Sequence, residues 1–170
     1  MADYSVIQKD YEALVDLLTT LTKAGSAIAS DEKIKNAFKS EFIFYAGALS
    51  LIDGEIAKEE LSALSEIFDY KFDYSAVMTA ARGFSDTMNN IPQCLSVAVQ
   101  IDNAVADNST LSKLLSYHVV TLFDSIAKAV VSADKILADP EIKLTVNYIN
   151  RLTDYMNDNL SESAKAKLPG

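Results

Sequence analysis

The sequence predicts an all-α fold: a compact bundle of about six to seven helices built from two pseudo-symmetric helix-turn-helix halves. Three observations carry this. Apolar residues recur every three or four positions along most of the 170 residues, no segment of any length alternates with period two, and one acidic turn between apolar helices occurs twice. The first turn is Leu51-Ile52-Asp53-Gly54-Glu55-Ile56-Ala57-Lys58-Glu59-Glu60-Leu61 and the second is Ser132-Ala133-Asp134-Lys135-Ile136-Leu137-Ala138-Asp139-Pro140-Glu141-Ile142. Laying residue 53 on residue 134 also pairs Phe42 with Phe123, Ala46 with Ala127, Ala48 with Ala129, Leu49 with Val130, Ile56 with Leu137, Glu60 with Glu141 and Leu61 with Ile142. The halves run from about residue 31 to 69 and from about 109 to 160, inside a single domain covering 1–170.

Each element follows from local pattern. From Ser5 to about Ala29, Ile7, Tyr11, Leu14, Leu18, Leu21 and Ile28 fall on one stripe of an amphipathic helix. Ser30 with Asp31 and Glu32 supplies an N-cap and first-turn acids for a helix reaching Ile52, apolar nearly all round from Phe42 onward. Asp53-Gly54 ends it, because glycine adopts the left-handed conformation without a Cβ clash. A short helix from Lys58 buries Leu61, Leu64, Ile67 and Phe68, and the aromatic, charged segment Tyr70 to Tyr74 reads as a linker closing over the core. Another short helix is expected over about 75–82. Asn89-Asn90-Ile91-Pro92 opens a helix to Ala106, with proline in the first turn where an N–H has no partner. The polar break Asp107 to Thr110 precedes the second central helix, and Asp139-Pro140 starts a last helix through Ile142, Val146, Ile149, Leu152 and Met156 to about Leu160. The small, charged tail from 161 to 170 is expected to fray.

The formal charge of −9 argues against a nucleic-acid surface, which needs clustered Lys and Arg, and favours cations or a basic protein surface. The longest apolar run, Phe42 to Ile52, is shorter than the roughly 20 residues of a membrane span. With no basic region ahead of an apolar core at Met1-Ala2-Asp3-Tyr4, the expected compartment is the cytoplasm. A single cysteine, Cys94, excludes an intrachain disulfide and a cysteine-based zinc site.

Within each acidic turn an Asp, an aliphatic and a Glu keep one spacing: Asp53, Ile56, Glu60 and Asp134, Leu137, Glu141. This is the second half of an EF-hand loop without its first, since Leu49 and Leu51, or Val130 and Ser132, occupy the earlier ligand positions. The stretch Leu51 to Ile56 with Glu60, echoed by Asp134 and Glu141, resembles the TerB-like family of all-helical domains found in tellurite-resistance proteins and some DnaJ-type co-chaperones. That resemblance covers about residues 31 to 160. It implies a bundle of two related halves, acidic residues near the turns that hold metal, and a stress-linked scaffold or sensor in protein complexes. Carried over by position, the metal candidates are Asp53, Glu60, Asp134 and Glu141, with Lys135 standing where the family has glycine. The alternative role for the same carboxylates is capping at the positive ends of helices.

The remaining residues point to no reaction. His118 lies alone in an apolar helix, Cys94 has no Cys-x-x-Cys partner, and Phe42, Phe44, Tyr45, Phe68, Phe72 and Tyr74 read as filling for the core and its lid. There is no phosphate-cradling loop, nucleophile elbow or His-Glu-x-x-His. The expectation is a non-enzymatic interaction or stress-sensing module, without a cofactor, whose partner is another protein. The alternatives are a divalent-cation binding protein using the two turns, and a small-ligand binding protein or enzyme with a cavity lined by residues such as Tyr45, Tyr70 and His118.

Overall fold

The computed structural model describes residues 3–24, 30–49, 58–71, 73–75, 90–106, 114–133 and 139–169, and among them it places seven helices and no strand. These are α1 (Ser5–Ala24), α2 (Asp31–Leu49), α3 (Lys58–Phe68), α4 (Gln93–Val105), α5 (Leu115–Val131), α6 (Asp139–Asn159) and α7 (Glu162–Lys165). The all-α bundle expected from the periodicity is what forms. The expected helix over 75–82 lies almost entirely outside the described residues.

Local chemistry explains several ends. Ser30 Oγ accepts from the Lys33 backbone N–H at 3.3 Å, the N-cap expected for α2. At the end of α3, Asp69 takes φ 49° and the Tyr70 N–H donates to the Ser65 carbonyl at 3.1 Å, a Schellman closure built on aspartate instead of glycine. The tail departs from expectation. Ser161 Oγ accepts from the Ala164 N–H at 3.2 Å and starts α7, and Ala164 is fully buried, so residues 161–169 are docked, not frayed.

One apolar core joins all the long helices. At its centre the rings of Phe42 (α2) and Phe123 (α5), each 0 % exposed, stack with centroids 4.7 Å apart and planes at 16°. Tyr11 of α1 stands edge-on to Phe42 at 5.6 Å and to Phe68 of α3 at 4.9 Å. On the other side Tyr45 meets Phe123 edge-on at 6.2 Å, stacks on Tyr148 of α6 at 6.3 Å, and touches Phe44 at 5.5 Å. Phe44 itself is 41 % exposed, and Tyr70 and Tyr74 are more exposed still. These three rings therefore do not roof the core as the sequence suggested, because the core is already closed by Tyr11, Phe68 and Tyr148.

The paired positions agree only in part where they are described, since Leu61 is half-buried while its counterpart Ile142 is exposed on α6. Phe42 and Phe123, and Ala46 and Ala127, are buried pair by pair; Ala48 is buried and Ala129 half-buried. The same shift lays Lys58, the first residue of α3, on Asp139, the first of α6, and lays the buried Leu14 and Leu18 of α1 on the buried Leu95 and Val99 of α4. The side chain of Leu49 lies outside the described residues, as do Ile56 and Leu137.

Candidate functional site

Two adjoining clefts open where the start of α1 meets α3. One, of about 320 Å³, is lined by Tyr4, Lys58, Glu59, Ser62, Ala63, Glu66 and Ala133. The other, also of about 320 Å³, is lined by Asp3, Tyr4, Ser5, Gln8, Glu66 and Asp69. Tyr4 and Glu66 line both. α3 supplies its polar face here because Leu64, Ile67 and Phe68 turn its other face into the core. The start of α1 is held by Asp3, whose Oδ1 accepts from the Ser5 N–H at 2.9 Å. That bond keeps the Asp3 carboxyl below the ordinary range. Partial burial, reinforced by the nearby charge of Glu66, pushes the Tyr4 phenol up.

The lining holds four carboxylates, Asp3, Glu59, Glu66 and Asp69, against one ammonium, Lys58. Among the described residues the ion pairs are Lys35–Asp16 at 2.8 Å, Lys128–Asp124 at 2.7 Å and Lys165–Glu162 at 3.4 Å, and none uses a group of the clefts. The first cleft also touches both acidic stretches. The chain leaves the first turn at Lys58 and enters the second at Ala133, and these two residues line the same cleft.

Of the four carboxylates expected from the sequence, Asp53 and Asp134 lie outside the described residues, and for Glu141 the structure describes the backbone in the first turn of α6 but not the side chain. Glu60 sits in the first turn of α3, 2 % exposed, and lines neither cleft. Among the described residues no group of three or more His, Cys, Asp or Glu is placed to hold a metal ion. The three residues suggested for a small-ligand cavity are not gathered at the clefts. Tyr45 is buried beside Phe123, Tyr70 is exposed, and His118 is half-buried on α5.

Two carboxylates that the sequence reading passed over hold the second part of the bundle together. Glu41, on α2, accepts from the backbone N–H groups of Gln93, at 3.0 Å, and Cys94, closing the start of α4 that Pro92 leaves without a side-chain cap. Asp102, on α4 and 1 % exposed, accepts from the N–H groups of Leu115 and Ser116, both at 2.9 Å, and from Ser116 Oγ at 2.6 Å. It caps α5 from a neighbouring helix, because α5 begins at Leu115 behind Leu114, which has no capping side chain. One residue on, Asn103 donates to the Asn159 carbonyl at 2.9 Å and accepts from the Ser161 N–H at 2.7 Å, tying α4 to the α6–α7 junction. The signal for Asp102 was present in the sequence, since Leu95, Ala98, Val99 and Asp102 share one stripe and a carboxylate on a core stripe needs donors.

Cys94 is buried beside Glu41. Burial, with the adjacent carboxylate adding to it, pushes its thiol well above the ordinary value, so it is held as a thiol and not as a nucleophilic thiolate. No described helix is long and apolar enough to cross a membrane. Comparison of the chain with protein-family models, with curated proteins and with solved structures gives no match in any of the three.

Proposed function

We propose that the protein is a non-enzymatic interaction module of the TerB-like kind, acting in the cytoplasm as part of a stress-linked protein complex, and that its paired acidic clefts receive a basic segment of a partner protein. The observation that carries this reading is a pair of clefts, both lined by Tyr4 and Glu66, in which four carboxylates face one ammonium, Lys58, and none of the four enters an ion pair among the described residues. Carboxylates left uncompensated at a concave surface concentrate field lines and attract a cationic side chain, while the Tyr4 ring offers an apolar face for its methylene stem. The position of the first cleft at the borders of both acidic turns links this reading to the residues that carry the TerB-like resemblance.

The test is an NMR titration with a short lysine-rich peptide and, separately, with calcium and magnesium ions. Peptide-dependent shifts confined to Tyr4, Ser62, Ala63 and Glu66, weakened by salt and lost in a Glu59→Gln/Glu66→Gln protein, are expected. Shifts scattered over the surface, or unchanged by the double substitution, would overturn the assignment of the site. A saturable response to calcium or magnesium alone at these residues would favour the cation-binding alternative.

A further inference from the structure

A second polar locus lies inside the bundle, away from the clefts, where α2, α4 and α6 meet. Tyr148 is 1 % exposed and its hydroxyl has no hydrogen-bond partner among the described residues. Its ring stacks on Tyr45 at 6.3 Å, and Tyr45 follows Glu41 by one turn of α2. Glu41 in turn holds the start of α4 through the N–H groups of Gln93 and Cys94. Desolvation first, then the charges of Tyr45, Cys94 and Glu41, push the Tyr148 phenol up, with Arg151 opposing them.

The fold contains its own control for this arrangement. The shift that lays residue 53 on residue 134 pairs Tyr148 with Ile67, Tyr45 with Ile126 and Glu41 with Leu122, and all three counterparts are buried aliphatics. Packing at these positions is thus satisfied by hydrocarbon in one part of the bundle, whereas the other part carries a carboxylate and two phenols. A buried hydroxyl without a partner costs about 1–3 kcal/mol. Shape does not require that cost here, since phenylalanine would fill the Tyr148 site.

We infer that the Tyr148 hydroxyl, with Glu41 and Tyr45, forms a binding site for an internal water molecule that bridges α6 to α2. The chemistry balances: the phenol donates to the water, and the water donates to Glu41, whose two oxygens offer about four acceptor positions, of which the N–H groups of Gln93 and Cys94 and the Cys94 thiol use three. A water with two to four polar partners is a stable part of a protein interior. Glu41, only half-buried, gives the site a polar side toward solvent.

The test is Tyr148→Phe, which keeps the ring and removes the hydroxyl, together with an atomic-resolution crystal structure of the unaltered protein. The structure is expected to show an ordered water within hydrogen-bond distance of Tyr148 Oη and a Glu41 oxygen, and the variant is expected to melt about 2–4 °C lower. A variant that melts at the same temperature or higher would show the hydroxyl to be an unpartnered liability and would overturn the inference. A crystal structure with no water at that position would do the same.

Discussion

Removing the carboxylate of Asp102 is the sharpest test of how the second part of the bundle is closed. Three donors, the N–H groups of Leu115 and Ser116 and the Ser116 hydroxyl, converge on a side chain that is 1 % exposed. An exposed N-cap contributes about 1 kcal/mol. This one is different, because hydrogen bonds to a charged acceptor contribute about 1.5–3 kcal/mol each and every buried donor left behind costs about 1–3 kcal/mol. These terms overlap, so Asp102→Ala is expected to lose about 3–5 kcal/mol, a large share of the roughly 5–15 kcal/mol that stabilises a domain. Asp102→Asn keeps one oxygen for a backbone N–H and turns an amide N–H₂ toward the other donors, giving an intermediate loss of about 2 kcal/mol. Urea denaturation followed by circular dichroism measures both, and a double-substitution cycle with Ser116→Ala isolates the hydroxyl contact. A loss below about 1 kcal/mol for Asp102→Ala, no more than a solvated cap provides, would refute the reasoning.

The stacked pair at the centre predicts that Phe42→Ala and Phe123→Ala each cost about 3–5 kcal/mol, with a coupling of about 0.5–1.5 kcal/mol between them; strictly additive denaturation midpoints would argue against the stack. Alkaline pH is the second variable. Burial raises the phenols of Tyr11, Tyr45 and Tyr148 and the thiol of Cys94 above their ordinary values of 10.0 and 9.0, so the folded state retains protons that the unfolded chain releases. Stability is therefore fully present below pH 9.0 and falls as pH rises through 9.0 and 10.0. In an absorbance titration part of the phenolate signal of the eight tyrosines should appear only with loss of helical signal; complete ionisation with the helices intact would contradict this.

The helices were legible because burial in a bundle imposes a 3.6-residue period on the chain, and the stripe Tyr11, Leu14, Leu18 or Ile126, Val130 records it directly. The caps of α4 and α5 were not. A local cap is written within three residues of the helix it serves, as at Ser30, whereas Glu41 and Asp102 act across 52 and 13 positions, and such pairing exists only once helices are packed. The Asp107 to Thr110 segment looked like the cap of α5 because its residue types fit, yet the described start of α5 at Leu115 lies beyond it. Exposed aromatics misled for a similar reason. Phe44 and Tyr45 are adjacent and both aromatic, but a helix turns about 100° per residue and sends only one of them inward. The clefts were legible only in part: the acidic turn at Glu59 and Glu60 was evident, while its meeting with Asp3, Tyr4 and Asp69 depends on how α1 lies against α3.

Both long-range caps point the same way along the chain. Glu41 precedes the N–H groups of Gln93 and Cys94, and Asp102 precedes those of Leu115 and Ser116. A ribosome releasing this chain from its N-terminus delivers each acceptor before the helix start that needs it. The opposite arrangement would leave the first N–H groups of α4 and α5 waiting for a carboxylate still to be made. Here α2 is already available when α4 emerges, and α4 when α5 emerges, so each helix supplies the end of the next and the bundle can close in the direction in which it is translated.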